Sequence, residues 1–362
     1  MSAAPDRGGA GVGGNASAAP GRGGAGVGSG ASAADVVLLG HGGGGRLSHD
    51  LVTEHFVAKL GNPALNALTD AAVLGELALT TDSFVVTPRF FAGGDLGRLA
   101  VCGTVNDLAM MGAVPLGLAA AFILEEGLPI AELDRLVDSM AAAAREANVA
   151  VVTGDTKVVP HGACDGVFVT MSGVGRLTEN FRPTPARIAA GDAVLVTGTL
   201  ADHGIAVLAC REGIGLRGDL ASDVAPLGGL VALLREAGVS VHAMRDPTRG
   251  GVAQSLIELA DAAGVRIEID EATLPVRKAV RAACELLGLD PLYVANEGKA
   301  LVILPAAEVE RALALMRTHP LGRGAARIGR ALAGEPGCTL RTLLGTRRTL
   351  RMAAGELLPR IC

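Results

Sequence analysis

A helix running from about Leu96 to Met111 is apolar on nearly every side, through Leu99, Val101, Cys102, Val105, Leu108, Ala109, Met110 and Met111. No face of such a helix suits water, so the chain has to bury it. Gly93-Gly94-Asp95 opens it, with Asp95 placed to cap its first turn. Its middle nevertheless holds Asn106 and Asp107. A carboxylate on a buried helix is costly unless it is paired or metal-bound. Asp107 is therefore either a metal ligand or the partner of Arg98, the obvious basic residue nearby.

At 362 residues the chain exceeds a typical single domain, and two compact units are expected. Their cores must be built from Leu, Val, Ile and Ala, because 49% of the residues are apolar while aromatics make up 2% and Trp is absent. A net charge of -5 without long runs argues against a nucleic-acid surface. The longest apolar run, Met110 to Leu124, is short for a membrane span and is interrupted by Gly112, Pro115 and Gly117. Six cysteines without CxxC pairs fit a reducing cytoplasm, and no signal peptide is expected.

Residues 1–34 contain a tandem Gly/Ala-rich duplication that buries too little to offset its chain entropy; a disordered extension is expected. Asp35-Val-Val-Leu-Leu then leads into His41-Gly42-Gly43-Gly44-Gly45-Arg46, either a phosphate cradle of backbone N–H groups or a flexible hinge. A strand is expected over 77–86, carrying Thr80-Thr81-Asp82-Ser83, and an amphipathic helix over 129–147. The helix feeds a strand over 149–153 that ends at Gly154-Asp155-Thr156-Lys157, readable as a phosphate or metal site or as a solvated turn.

Pro183 and Pro185 mark a linker, and a second unit begins near Ala190, with a strand expected within Ala190 to Gly198 between turn signals. There Asp246-Pro247-Thr248-Arg249-Gly250-Gly251 precedes a helical run over 252–263, as a metal-anion seat or a helix cap. Asn296-Glu297-Gly298-Lys299 follows between apolar stretches, readable also as a hairpin turn, and a helix over 306–317 and a strand over 325–332 complete the unit. The expected division is 35–180, 186–344 and a flexible tail, 345–362, ending in Cys362. A thiol at the end of such a tail is a candidate nucleophile and group carrier, and some 17 extended residues reach on the order of 55 to 60 Å.

Asp82, Asp107, Gly154-Asp155-Thr156-Lys157, Asp246-Pro-Thr-Arg-Gly-Gly and the final Pro359-Arg360-Ile361-Cys362 form one ordered set. It resembles the HypE family of hydrogenase-maturation carbamoyl dehydratases, in the aminoimidazole-ribonucleotide-synthetase-like (PurM-like) ATP-binding superfamily, from about Leu38 to Cys362. The resemblance implies an α+β, two-domain chain whose N-terminal sheets pair across a homodimer into a β-barrel, with an α/β C-terminal domain. It implies Mg²⁺ held by Asp82, Asp107 and Asp246. ATP would face Gly42, Gly43, Gly44, Gly45, Thr81, Asp95, Gly154, Asp155, Thr156 and Gly250. Lys157 and Glu297 would meet a carboxamide carried on Cys362, loaded by the carbamoyltransferase HypF and passed on as cyanide to HypC-HypD for a [NiFe]-hydrogenase iron. Selenophosphate synthetases are expected to carry a Cys or selenocysteine in the glycine loop, and 41–46 has none; thiamine-monophosphate kinases and the purine enzyme have no use for a terminal Pro-Arg-Ile-Cys. A non-catalytic thiol carrier is the alternative of a different class.

Overall fold

The computed structural model describes residues 36–213, 220–355 and 360–362. The duplicated tract over 1–34 lies outside them. Short helical turns α1 (Arg46–Leu51) and α2 (Ala58–Leu60) come first, then the hairpin β1 (Ala72–Leu74) and β2 (Leu77–Phe84) and a small ribbon of β3 (Phe90–Phe91) and β4 (Gly94–Asp95). Helix α3 (Leu96–Met110), β5 (Ala113–Glu125), α4 (Ile130–Glu146), β6 (Val151–Val159) and β7 (Val167–Leu177) follow. Among the described residues these build a five-stranded sheet in the order β1-β2-β7-β5-β6, antiparallel except for the β5–β6 pair that α4 connects.

The second half contributes β8 (Ala193–Val196), α5 (Asp202–Arg211), α6 (Gly228–Glu236), β9 (Ala243–Arg245), α7 (Gly251–Ala263), β10 (Arg266–Asp270) and α8 (Lys278–Leu287). It ends with β11 (Leu301–Leu304), α9 (Val309–Thr318), β12 (Ala326–Leu332), β13 (Gly337–Arg341) and β14 (Arg347–Leu350). Its strands form a seven-stranded sheet in the order β14-β13-β10-β12-β8-β11-β9. The architecture is the α+β, two-sheet PurM-like one. Residues Leu39–Cys362 form a single compact unit, and no helix among the described residues is long and apolar enough to cross a membrane.

Helix α3 is the axle of the first sheet. Leu96, Leu99, Ala100, Val101, Cys102, Val105 and Leu108 are all buried, against the sheet and α4. Gly97 admits α4, since a Cβ there would run into the carbonyl oxygen of Leu136. Asp95 caps α3 by accepting a hydrogen bond from the Arg98 N–H at 3.0 Å.

Two expectations need correction. The strand foreseen over 149–153 runs instead through Gly154-Asp155-Thr156-Lys157 to Val159, as an exposed edge strand. Gly154 is tolerated inside it because any Cβ would strike the Ala120 carbonyl on β5. The stretch expected as tail from 345 also begins with regular structure: β14 pairs with β13, Leu350 is buried, and Arg347 holds Glu268 at 2.6 Å.

Candidate functional site

Four carboxylates converge where β2, α3 and the start of α7 meet. Strand alternation puts Thr80 and Asp82 on the β2 face that packs against α3, and Thr80 Oγ1 donates to Asp107 Oδ2 at 2.6 Å. Asp70, before β1, Asp107 and Asp246 present oxygens within 4.8 Å of one another. Asp82 stands at the edge of this trio, near enough to Asp107 for each to influence the other's charge. Burial raises the carboxyl of Asp107 well above its ordinary range, and Asp246, Asp82 and Asp70 add to the rise. Asp246 is raised in the same sense by burial and by Asp70. Burial lifts Asp70 to about 6 even though Arg245 sits 2.8 Å away. Acids crowded so closely out of water repel one another, and a hard divalent cation with oxygen ligands fits the donor set.

Arg98 does not neutralise Asp107: it spans to Glu146 at 2.6 Å and to the Val224 carbonyl. Asn106, the other polar residue of α3, is fully buried and serves as a bracket to the second half. Its Nδ2 donates to the carbonyls of Ala225 and Glu297, at 3.1 and 3.2 Å, and its Oδ1 accepts from the Leu227 N–H at 2.7 Å. The loop carrying Glu297 is thereby fixed to the helix carrying Asp107. Glu297 is 3% exposed, its Oε1 has no hydrogen-bond partner among the described residues, and burial, then Asp246, Asp223 and Asp82, push its carboxyl well up.

Beside these acids lies a cavity of about 230 Å³, bordered by Gly42, Gly43, Ser83, Arg249, Gly250 and Cys362. Arg249 and Arg360 are the cations along its lining. Cys362 raises the Arg249 guanidinium most, followed by Asp82, Glu297 and Asp107 among the charges that act on it. Gly42 and Gly43 of the glycine loop line the cavity. The Gly43 and Gly44 N–H groups are taken within the loop, by the Gly40 carbonyl and by Ser48 Oγ. Gly44, at φ +77°, leaves room for the Arg249 side chain, whose Cβ an added Cβ would meet at 2.7 Å, and Gly45 leaves room for the Ala353 carbonyl.

Other residues singled out from the sequence lie elsewhere. Thr81 is on the opposite face of β2 from Asp82, receiving a hydrogen bond from Ser172. Asp95 is spent as a cap about 18 Å along α3 from Asp107. Gly154 is in register with Ala120, Met171 and Asp82, and so lies about 14 Å from Asp82 across three strand spacings. Asp155 and Lys157 pair with each other at 3.1 Å on the exposed edge. Lys157 is nevertheless in register with Ile123 and, through it, Phe168, and the Arg360 guanidinium lies 5.8 Å from the Phe168 ring. Directly opposed residues share a face, so Lys157 lies on the side of the sheet where the Arg360 guanidinium sits over Phe168.

Sequence reasoning overlooked Asp70 and Arg249. Asp70 carried no signal beyond an acid ahead of an apolar strand. Arg249 was inside a motif already noted, as the one cation among its turn residues.

Residues 68–177 match the family described as AIR synthase related protein, N-terminal domain, and residues 189–339 match its C-terminal domain. The chain is 50% identical over 327 residues to the carbamoyl dehydratase HypE of Azotobacter vinelandii, covering 89% of this chain and 96% of that one. It is 46% identical over 335 residues to that of Escherichia coli K12, covering 90% and 99%. Among solved structures, HypE in complex with ATP superposes with a TM-score of 0.77 at 46% identity, covering 90% of this chain and all of that one. The HypE-HypF complex gives 0.81 at 46%, covering 84% and 99%. Thiamine monophosphate kinase from Aquifex aeolicus, 20% identical with a TM-score of 0.63 over 84% of this chain and 99% of that one, shares the fold.

Proposed function

The chain belongs to the HypE family of carbamoyl dehydratases, and from that premise we propose that it dehydrates, at the expense of ATP, a carboxamide carried on its own Cys362. The observation that carries this reading is the seating of Cys362 in one cavity with Arg249, whose guanidinium also interacts with Asp82, Glu297 and Asp107. The relatives' name and the ATP-bound neighbour supply the reaction class and the nucleotide.

A thiocarbamate cannot readily expel its oxygen as hydroxide. Transfer of the γ-phosphoryl of ATP to that oxygen, with release of ADP, converts it to a leaving group. Loss of the two nitrogen protons and departure of phosphate then leave a thiocyanate on sulfur. Asp82, Asp107 and Asp246, with Asp70 added, are the residues to hold Mg²⁺. Bound there, the cation would neutralise and align the phosphates. Arg249 orients the loaded thiol and offsets charge growing on the amide oxygen. Glu297 is the candidate base: burial makes its carboxylate a stronger proton acceptor than an exposed one, and Arg249 opposes the effect. Lys157 serves the phosphate from the sheet face where the Arg360 guanidinium sits.

The solved HypE-HypF complex supports a HypF-type carbamoyltransferase as donor. A HypC-HypD iron scaffold in the cytoplasm is the acceptor in this reading, and the thiocyanate supplies cyanide ligands to the hydrogenase iron. The test is the mass of the Cys362 peptide after incubating the chain with carbamoyl phosphate, ATP and the transferase. The expected gain is that of one hydrogen replaced by a cyano group, with Asp107→Asn halted at the carbamoyl mass. A Cys362→Ser chain that still supplied cyanide would overturn the proposal.

A further inference from the structure

The last three residues are not merely near the cavity; they fill a receptor with a separate contact for each. Arg360 to Cys362 run antiparallel to the end of β2. The Val85 N–H donates to an α-carboxylate oxygen of Cys362 and the Thr87 N–H to the Arg360 carbonyl oxygen, each at 3.2 Å. These two backbone bonds fix where the segment lies, and its side chains supply the selectivity. The Arg360 guanidinium donates to the Val85 carbonyl at 2.9 Å and to Asp165 Oδ2 at 2.6 Å. Ile361 is buried in the first core cluster.

Helix α5 holds the remaining backbone from the other side. Arg211, at its C-terminal end, donates to the carbonyls of Thr87 and Arg360 at 2.8 and 2.7 Å. Two turns earlier His203 is completely buried, edge-on to Phe91, with Nε2 at 2.9 Å from the Ile361 carbonyl oxygen and Nδ1 at 2.7 Å from Ser222 Oγ. A carbonyl can only accept, so Nε2 carries the hydrogen. Burial favours the neutral ring, which leaves Nδ1 to accept from the Ser222 hydroxyl. Ser222 Oγ in turn accepts from the Val224 N–H at 3.1 Å. The tautomer is thus determined through three linked bonds. Gly93, at φ +91°, makes room for the Ser222 backbone. Arg360 itself sits at φ +53°, a left-handed geometry that a non-glycine residue keeps only where its surroundings impose it.

We infer that His203, Arg211 and Asp165 form a binding site for the chain's own Arg-Ile-Cys segment, a latch in which His203 positions the thiol by holding the carbonyl next to it. The latch rests on the proposal that Cys362 is the working thiol, yet it governs docking alone. A partner that loads or unloads the sulfur would have to break these contacts.

The test is alkylation of the full-length protein by iodoacetamide, without nucleotide or carbamoyl donor, resolved by peptide mass, with buried Cys102 as a check on the fold. Removing the partly exposed Arg360 contact by Asp165→Ala should speed Cys362 labelling about threefold. The same substitution should have no effect in an Arg360→Ala background. His203→Phe keeps a ring in the core but forfeits the buried bond, and should speed labelling about tenfold in either background. Unchanged Cys362 rates in both single variants, with Cys102 still protected, would overturn the latch without bearing on the chemistry. Equal Asp165→Ala effects in the two backgrounds would overturn the Arg360–Asp165 recognition in it.

Discussion

Asp107 is the residue on which the electrostatics of the site turn. It is hydrogen-bonded to Thr80, surrounded by Asp70, Asp82 and Asp246, and raised first by burial and then by those neighbours. A carboxyl whose folded pKa lies above its unfolded one binds extra protons in the native state. Its contribution is favourable below the unfolded value and is lost as pH rises through the folded one. For Asp70 that window runs from 3.8 to about 6. In metal-free protein, Asp107→Asn should therefore match the parent in stability at pH 4 and exceed it by on the order of 1 kcal/mol at pH 7. Thermal melts across that range check this, and a constant offset would contradict it. The same variant should lose ATP-dependent turnover, separating stability from function at one atom pair. Asp107 and Asp246 were legible in the sequence because each acid interrupts an apolar or glycine-rich context, whereas Asp82 entered only through the family resemblance. Asp70 was not, because nothing local distinguishes a cluster member from a surface acid.

At the scale of elements, α3 and its bracket decide whether the two halves of the site meet. Asn106 satisfies two carbonyls and one N–H in the second half of the chain. Asn106→Ala would leave all three buried and unpaired, and should cost about 2 to 4 kcal/mol in denaturant unfolding while lowering turnover through a displaced Glu297 loop. Asn106→Asp keeps the acceptor for Leu227 but sets a buried acid against two carbonyl oxygens, and at neutral pH should cost at least as much as Asn106→Ala. Helices α3 and α4 were readable to within a residue or two, since their apolar spacing and the Asp95 cap are local signals. Strand β6 was read only in its first residues, up to Thr153. Its polar residues and Gly154 look like a turn, and only the close approach of Ala120 and the lack of a neighbour on its outer side explain a strand there. Strand β14 was missed for a related reason: it is held by side chains, Arg347 to Glu268 and Arg348 to Asp290, that lie far away in sequence.

For the molecule as a whole, the open edge at β6 is the feature that calls for a second copy. Val152 and Val158 are 66% and 68% exposed on a nine-residue strand with no partner on its outer side among the described residues. Such an edge is an aggregation hazard unless another chain covers it. Pairing two copies there is the β-barrel homodimer that the family resemblance implies. It would also set Lys157 at the seam, on the face where the Arg360 guanidinium sits. The question is then whose thiol each lysine serves. A Lys157→Ala chain and a Cys362→Ser chain are each expected to be inactive alone. If Lys157 acts across the seam, a mixed dimer contains one site with both groups intact: the cysteine of the first chain facing the lysine of the second. Equal mixing puts half the dimers in that form with one working site of two, so dehydration should return to about a quarter of the parent rate. If each lysine serves its own chain, no site in the mixture has both, and mixing restores nothing. Disrupting the edge with Val152→Asp and Val158→Asp should yield monomers by sedimentation and abolish the complementation, because the restored sites exist only while the two strands are joined.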